Sequence, residues 1–287
     1  MADIKRFSAM THGTAGATGL PNDEVLVIMH IDDIGMLADT ADSAIEVMRH
    51  GMAKSGSIMV PAPGFERAAQ VIKDNPDLDC GIHITLTNEW QERIPWRPLL
   101  SKDEVPSLYN EQGLMWRNEG FFAYHAEAGD VEKEMEKQIQ TALKTGIKFS
   151  HMDAHMGCYF MRHDLFNIAL KLAQKYQLTI VAPYPYYFWF RRSDLEDLKN
   201  KGIKCPDSFY GFYRDSPHAL KTYRDYLAGL TPGVHYIFIH PVRSTPETKR
   251  LLPDLAIRAR DYAIWTGEKI RKFAAAKHIK FISFPEF

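Results

Sequence analysis

The feature that most constrains this chain is an alternation running through nearly its whole length. Short apolar, β-rich runs take turns with amphipathic helical stretches. The run Val25–Ile31 is a continuous buried-strand pattern, without the polar-out rhythm of a half-exposed strand. Further strands are predicted at Ser57–Val60, Asp79–Leu86, Ile147–Asp153, Thr179–Ala182, Ile203–Tyr210, Val234–His240 and Ile279–Phe284. Helices are predicted at Thr40–His50, Gly64–Lys73, Asp164–Tyr176, Ser193–Lys201 and His218–Leu227, with two more across Leu255–Ala276. Another starts at Val131 with Asp130 as its N-cap, carries Val131, Met135, Ile139 and Leu143 on one face, and stops at Gly146. Strands alternating with helices pair in parallel and carry the helices outside, giving an α/β barrel or a doubly wound sheet. No GxGxxG follows the first strand, which weighs against a dinucleotide-binding sheet. The expected fold is therefore a TIM-like (β/α) barrel, irregular in outline, with seven to eight strands.

Residues 1–24 read as a lead-in without a continuous apolar core, and 25–287 as a single catalytic domain. Residues 88–129 lack clear periodicity and carry Trp90, Trp96 and Trp116, so a functional loop or lid is expected there. The aromatic run Tyr184, Tyr186, Tyr187, Phe188, Trp189 and Phe190 follows a strand. It reads equally as a sugar-stacking platform, a hydrophobic plug or a dimer contact, which leaves a homodimer open.

Bulk properties remove several function classes. The net charge of −1, with no long basic cluster, argues against nucleic acid as partner. No apolar run approaches the roughly 20 residues of a membrane span, so no membrane partner is expected. Cys80, Cys158 and Cys205 are odd in number and widely spaced, which fits a reducing, cytoplasmic setting with the thiols as small buried groups.

The chemistry-bearing residues gather at predicted strand ends. Asp32 and Asp33 close the first strand, His83 lies in the third, His151, Asp153 and His155 end the fourth, and His240 ends the penultimate one. Active sites of barrels and open α/β sheets form at that edge. Each group has a structural alternative: an Asp-Asp pair caps turns, and a lone histidine can sit satisfied in a core. At strand period two, positions 151, 153 and 155 would share one face and converge two imidazoles and a carboxylate. Few protein ligands on a metal leave room for water and a substrate carbonyl, while a neighbouring carboxylate can act as general base.

The motifs together resemble those of the YdjC-like carbohydrate deacetylases, relatives of the polysaccharide deacetylases. The family's N-A-D-D-F-G is matched by His30-Ile-Asp-Asp-Ile-Gly35, and G-x-H-x-x-L by Gly81-Ile-His-Ile-Thr-Leu86. H-x-D-S-H is matched by His151-Met-Asp-Ala-His155, and a late H-P by His240-Pro241. The resemblance implies a (β/α) barrel that hydrolyses the N-acetyl group of a small amino sugar or oligosaccharide. It further implies Asp32 as general base toward metal-bound water and Asp33, His83 and His155 as ligands of one divalent ion. His151 and Asp153 would line or brace the site, and His240 would protonate the leaving amine or stabilise the oxyanion. Mixed imidazole and carboxylate ligands favour zinc on softness, while the resemblance brings in magnesium. The chain departs from the pattern at His30 and Ile34, where the family has Asn and Phe, and at Met156 and Gly157, where further histidines are common. The alternatives are another metal-dependent hydrolase, such as an amidohydrolase or phosphoesterase, or an inactive sugar-binding relative.

Overall fold

The computed structural model describes residues 23–180, 198, 203–212 and 214–287. Eight parallel strands form one curled sheet: β1 (Val25–Ile34), β2 (Ser55–Ile58), β3 (Asp79–Ile84), β4 (His151–Ala154), β5 (Thr179–Ile180), β6 (Ser208–Gly211), β7 (Gly233–Ile239) and β8 (Ile279–Ile282). The order is β5-β4-β3-β2-β1-β7-β6, with β8 set against β1. β1 pairs β7 along one edge; on the other it pairs β8 through Val25–Ile28 and β2 through His30–Ile34. Helices α1 (Ala38–Arg49), α2 (Phe65–Lys73), α3 (Glu119–His125), α4 (Ala128–Leu143), α5 (His163–Tyr176), α6 (Ala219–Ala228), α7 (Pro246–Leu251), α8 (Leu255–Trp265) and α9 (Glu268–Ala276) flank it. The result is the irregular, TIM-like half-barrel that the alternation predicts.

Strand periodicity sorts the side chains. Val27, Met29 and Ile31 join the large core shared with the helices, with Ile237, Ile239, Ile82 and Met152. Leu26, Ile28, Val234, Tyr236, Ile282 and Phe284 make a separate inner cluster inside the curl. Each large apolar side chain so buried contributes about 1.5–3 kcal/mol. The inner row of β1 continues past Leu26 and Ile28 to His30 and Asp32, so one strand face changes from apolar floor to polar mouth.

Several sequence expectations need correction. Asp130 is not an N-cap: it is the third residue of α4, and its carboxylate accepts hydrogen bonds from Ser107 N (3.1 Å) and Oγ (2.8 Å). Packing against residue 107 won over local capping. The segment 88–129 is not structureless, since it holds a 3₁₀ turn at Pro106–Leu108 and helix α3, whose N-cap Asn118 accepts from Phe121 N at 2.9 Å. Trp96 is buried and donates to Thr87 O at 2.9 Å, and Trp116 donates to Ser107 O at 2.8 Å; both hold the segment together. α7, capped by Thr245 with Pro246 at its start, was not anticipated. The aromatic run at 184–190 and most of the predicted helix 193–201 lie outside the described residues.

Candidate metal centre and active site

Adjacent residues of a regular strand point to opposite faces, so Asp32 and Asp33 could not serve one site without a break in the strand. The break is present. Between Ile31 and Ile34 the register against β2 shifts, and Asp33 takes φ 62°. This bulge turns Asp33 into the same mouth as Asp32, the usual way a bulge re-aims a side chain. Gly35 follows at φ 88°, where a Cβ would stand 2.8 Å from that of Ala68; only glycine fits the return to the helix.

Asp33, His83 and His155 offer ligand atoms that all lie within 4.8 Å of one another, and all three are buried. Asp33 Oδ1 is 3.3 Å from His83 Nε2 and 3.1 Å from His155 Nδ1. The opposite nitrogens are each held by a carboxylate: His83 Nδ1 by Asp153 at 2.8 Å, His155 Nε2 by Glu89 at 2.9 Å. This is how outer carboxylates fix the ring orientation of metal-binding histidines. His83 Nε2 is buried and, although 3.3 Å from Asp33 Oδ1, makes no well-aligned hydrogen bond among the described residues. A buried nitrogen left so costs about 1–3 kcal/mol, which a cation at that point removes. The donor set, two imidazoles and one carboxylate, suits an open divalent site. The group can therefore hold a metal ion.

The second oxygen of Asp33 is bound by Arg258 Nη1 at 2.8 Å, and Arg258 also donates to Asp254 at 2.6 Å. Burial alone would raise the Asp33 pKa, but Arg258, His155 and His83 hold it well below the usual carboxylate range. Burial likewise works against charge on His155, yet Glu89 and Asp33 lift it to about 9. The preference of this pocket for a buried positive charge beside Asp33 is thus plain even in protonation terms.

Asp32 lies on the rim of the same site. Its Oδ1 accepts from His30 Nδ1 at 2.7 Å, and its Oδ2 is 3.9 Å from His240 Nε2. His240 follows the last residue of β7 and is also 3.9 Å from Asp33 Oδ2, while its backbone N–H donates to Asp261 at 3.2 Å. Burial pushes His240 down to about 4, so its imidazole is neutral near pH 7. These side chains open on a cavity of about 470 Å³, whose other walls include Glu89, Trp90, Phe209, Tyr236 and Phe238. That volume is in the range of small-molecule sites.

The expected convergence of 151, 153 and 155 holds only in part. β4 ends at Ala154, and His155 opens a 3₁₀ segment in which Met156 and Gly157 both have positive φ (51° and 62°). That turn carries His155 to Asp33. Asp153 reaches His83, but His151 points deeper into the curl and meets His30 instead, Nε2 to Nε2 at 2.9 Å. A second group, His30, Asp32 and Asp153, also lies within 4.8 Å, although there the His30–Asp32 hydrogen bond already satisfies the ring nitrogen. The sequence reading missed Glu89 and Arg258. Glu89 sits in a segment without periodicity, and Arg258 is an unremarkable basic residue of α8 until the fold brings it under Asp33.

Comparison with known proteins follows the same lines. The model of the family described as YdjC-like protein matches residues 26–276. Carbohydrate deacetylase 1 of Listeria innocua serovar 6a is 28% identical over 265 residues, spanning 90% of this chain and 98% of that protein. The carbohydrate deacetylase of Thermus thermophilus is 32% identical over 276 residues, covering 91% and 93%. Among solved structures, a protein of Enterococcus faecalis V583 whose name connects it with cellobiose-phosphate cleavage superposes with a TM-score of 0.79. It is 24% identical and covers 92% of this chain and 98% of its own, a likeness of fold.

Proposed function

The chain belongs to the YdjC-like family, and on that premise we propose that it is a metal-dependent deacetylase that hydrolyses the N-acetyl group of a small amino sugar. The observation that carries the reading is the buried Asp33, His83, His155 group, whose His83 Nε2 makes no well-aligned hydrogen bond, with a separate carboxylate, Asp32, at its rim. Relatives named carbohydrate deacetylase support the substrate class. Asp33, His83 and His155 would hold one divalent ion, and zinc suits this donor set best. Such an ion supplies Lewis acidity toward the acetamide carbonyl and lowers the pKa of water.

This chain's own residues do the rest. Asp32 takes a proton from the attacking water as its oxygen bonds to the acetyl carbon. His240, across the mouth at 3.9 Å from Asp32, donates a hydrogen bond to the carbonyl oxygen as charge builds there, a contribution of about 10²–10³ in rate for such donors. The C–N bond breaks, Asp32 returns its proton to the departing nitrogen, and the products are acetate and the free amino sugar. Trp90, Phe209 and Phe238 give the cavity wall aromatic faces against which a sugar ring can stack. At about 470 Å³ the cavity suits a mono- or disaccharide rather than a long polymer.

The test is acetate release from N-acetylated mono- and disaccharides set beside soluble chitin polymer. Release from the short sugars, matched by free amine, is the expected result. Faster release per acetyl group from polymer would overturn the size assignment, and no acetate from any of them would overturn the activity.

A further inference from the structure

We propose that His30 and His151 are a buried positioning pair that sets the orientation of the Asp32 carboxylate, a role that rests on the deacetylase reading and extends it to residues outside the pocket. Neither imidazole is exposed at all, and neither lines the cavity. His30 Nδ1 meets Asp32 Oδ1 at 2.7 Å, and His30 Nε2 meets His151 Nε2 at 2.9 Å. His151 Nδ1 meets Ser150 Oγ at 2.7 Å, and Ser150 Oγ also donates to Asp79. Asp79 in turn accepts from Ser55 Oγ and from Phe284 N, the latter at 3.2 Å. A continuous line of hydrogen bonds thus runs from the proposed base to the middle of the sheet.

The arrangement is built, not incidental. His151 lies flat on Phe284, with ring centroids 3.7 Å apart and planes 12° from parallel. Its other side needs Gly81, where a Cβ would stand 2.3 Å from His151 Nε2. Two nitrogens in contact require one donor and one acceptor. Ser150 Oγ gives its one proton to Asp79, so it accepts from His151 Nδ1–H, and His151 Nε2 is left as the acceptor for His30 Nε2–H, while Asp32 Oδ1 accepts from His30 Nδ1–H. Burial supports this assignment by pushing His151 down to about 4, which keeps it neutral. With Oδ1 so fixed, Asp32 has Oδ2 left for the site, on the side of His240. Asparagine, the family residue at position 30, places an amide nitrogen where Nδ1 stands and can still hold Asp32, but cannot reach His151.

The experiment compares metal-loaded wild type with His30→Ala, His30→Asn, His151→Ala and the His30→Ala/His151→Ala double variant, reading kcat, KM, bound metal and Tm on short N-acetylated sugars. His30→Ala should lower kcat about 10–100-fold, as loss of an outer partner commonly does, with KM and one bound ion unchanged. His30→Asn should recover most of that loss. His151→Ala should cost less, and should add nothing in the His30→Ala background, because it acts through His30. A purely structural role would lower Tm while leaving kcat per folded, metal-loaded molecule intact, and that outcome overturns the proposal. Additive losses or a second bound ion also overturn it. A readout independent of substrate is the imidazole N–H signal of His30 in ¹⁵N-histidine-labelled protein. It should exchange slowly and shift in His151→Ala; a fast-exchanging or unshifted signal contradicts the pairing even if the deacetylase reading fails on its own account.

Discussion

The outer carboxylate on His155 offers a perturbation whose size can be worked out beforehand. Glu89 Oε2 is 2.9 Å from His155 Nε2, and its side chain is 20% exposed. A hydrogen bond to a charged group contributes about 1.5–3 kcal/mol net, roughly twice that of a neutral pair. Glu89→Gln keeps an acceptor oxygen and loses the charge, so about 1 kcal/mol of support for the ring is removed. At 1.4 kcal/mol per tenfold, metal affinity should fall about fivefold. Glu89→Ala removes the acceptor as well and should cost about 10–100-fold, toward the lower end because water reaches the position. The assay is competition for zinc against a chromophoric chelator, with His155→Gln as the variant that removes a ligand outright. Affinity in Glu89→Ala within twofold of wild type would show that Glu89 does not support His155 as a ligand, and the assignment of His155 Nδ1 to the ion would fall with it.

Other variants follow from the same geometry. Asp32→Asn should leave metal content normal while cutting turnover about 10²–10⁴-fold; near-normal acetate release would remove Asp32 as base. Arg258→Met takes the cation from buried Asp33 and should destabilise the metal-free protein by about 3–5 kcal/mol, read by denaturant midpoint, with added metal recovering part of the loss. Asp261 is pushed up to about 7 by burial, so the folded protein holds a proton there that the unfolded chain gives up near pH 4. That stabilisation is present below about pH 4 and disappears as pH rises toward 7, because the native state binds more protons across that window. Asp261→Asn, which resembles the protonated acid, should flatten the decline of Tm between those limits; an unchanged slope would refute the shift.

Much of the fold could be read from residues 25–31 and 234–240, because strands buried on both faces carry apolar side chains at most positions. The two aspartates, His83, His155 and His240 were legible for the same reason: they interrupt those runs at the mouth of the sheet. What escaped depends on contacts between distant residues. No local pattern says that Asp130 answers Ser107 instead of capping α4, or that Arg258 lies under Asp33, 225 positions away. His151 was grouped with Asp153 and His155 by strand period, yet β4 ends at Ala154 and the backbone turns at Met156. Strand period therefore held for 151 and 153 and lost its meaning at 155. The aspartate pair carried the converse lesson, since alternation would have set Asp33 on the outer face and the bulge reverses it.

On the proposed function, Asp33, His83 and His155 hold the one ion on which amide hydrolysis depends. The most direct measurement is acetate release from an N-acetylated disaccharide by protein stripped with chelator and titrated with zinc. Activity should be absent in the stripped protein and rise linearly to a plateau at one equivalent per chain, with no recovery in His83→Ala. Full-rate acetate release by the stripped protein, or by His83→Ala, would contradict the account.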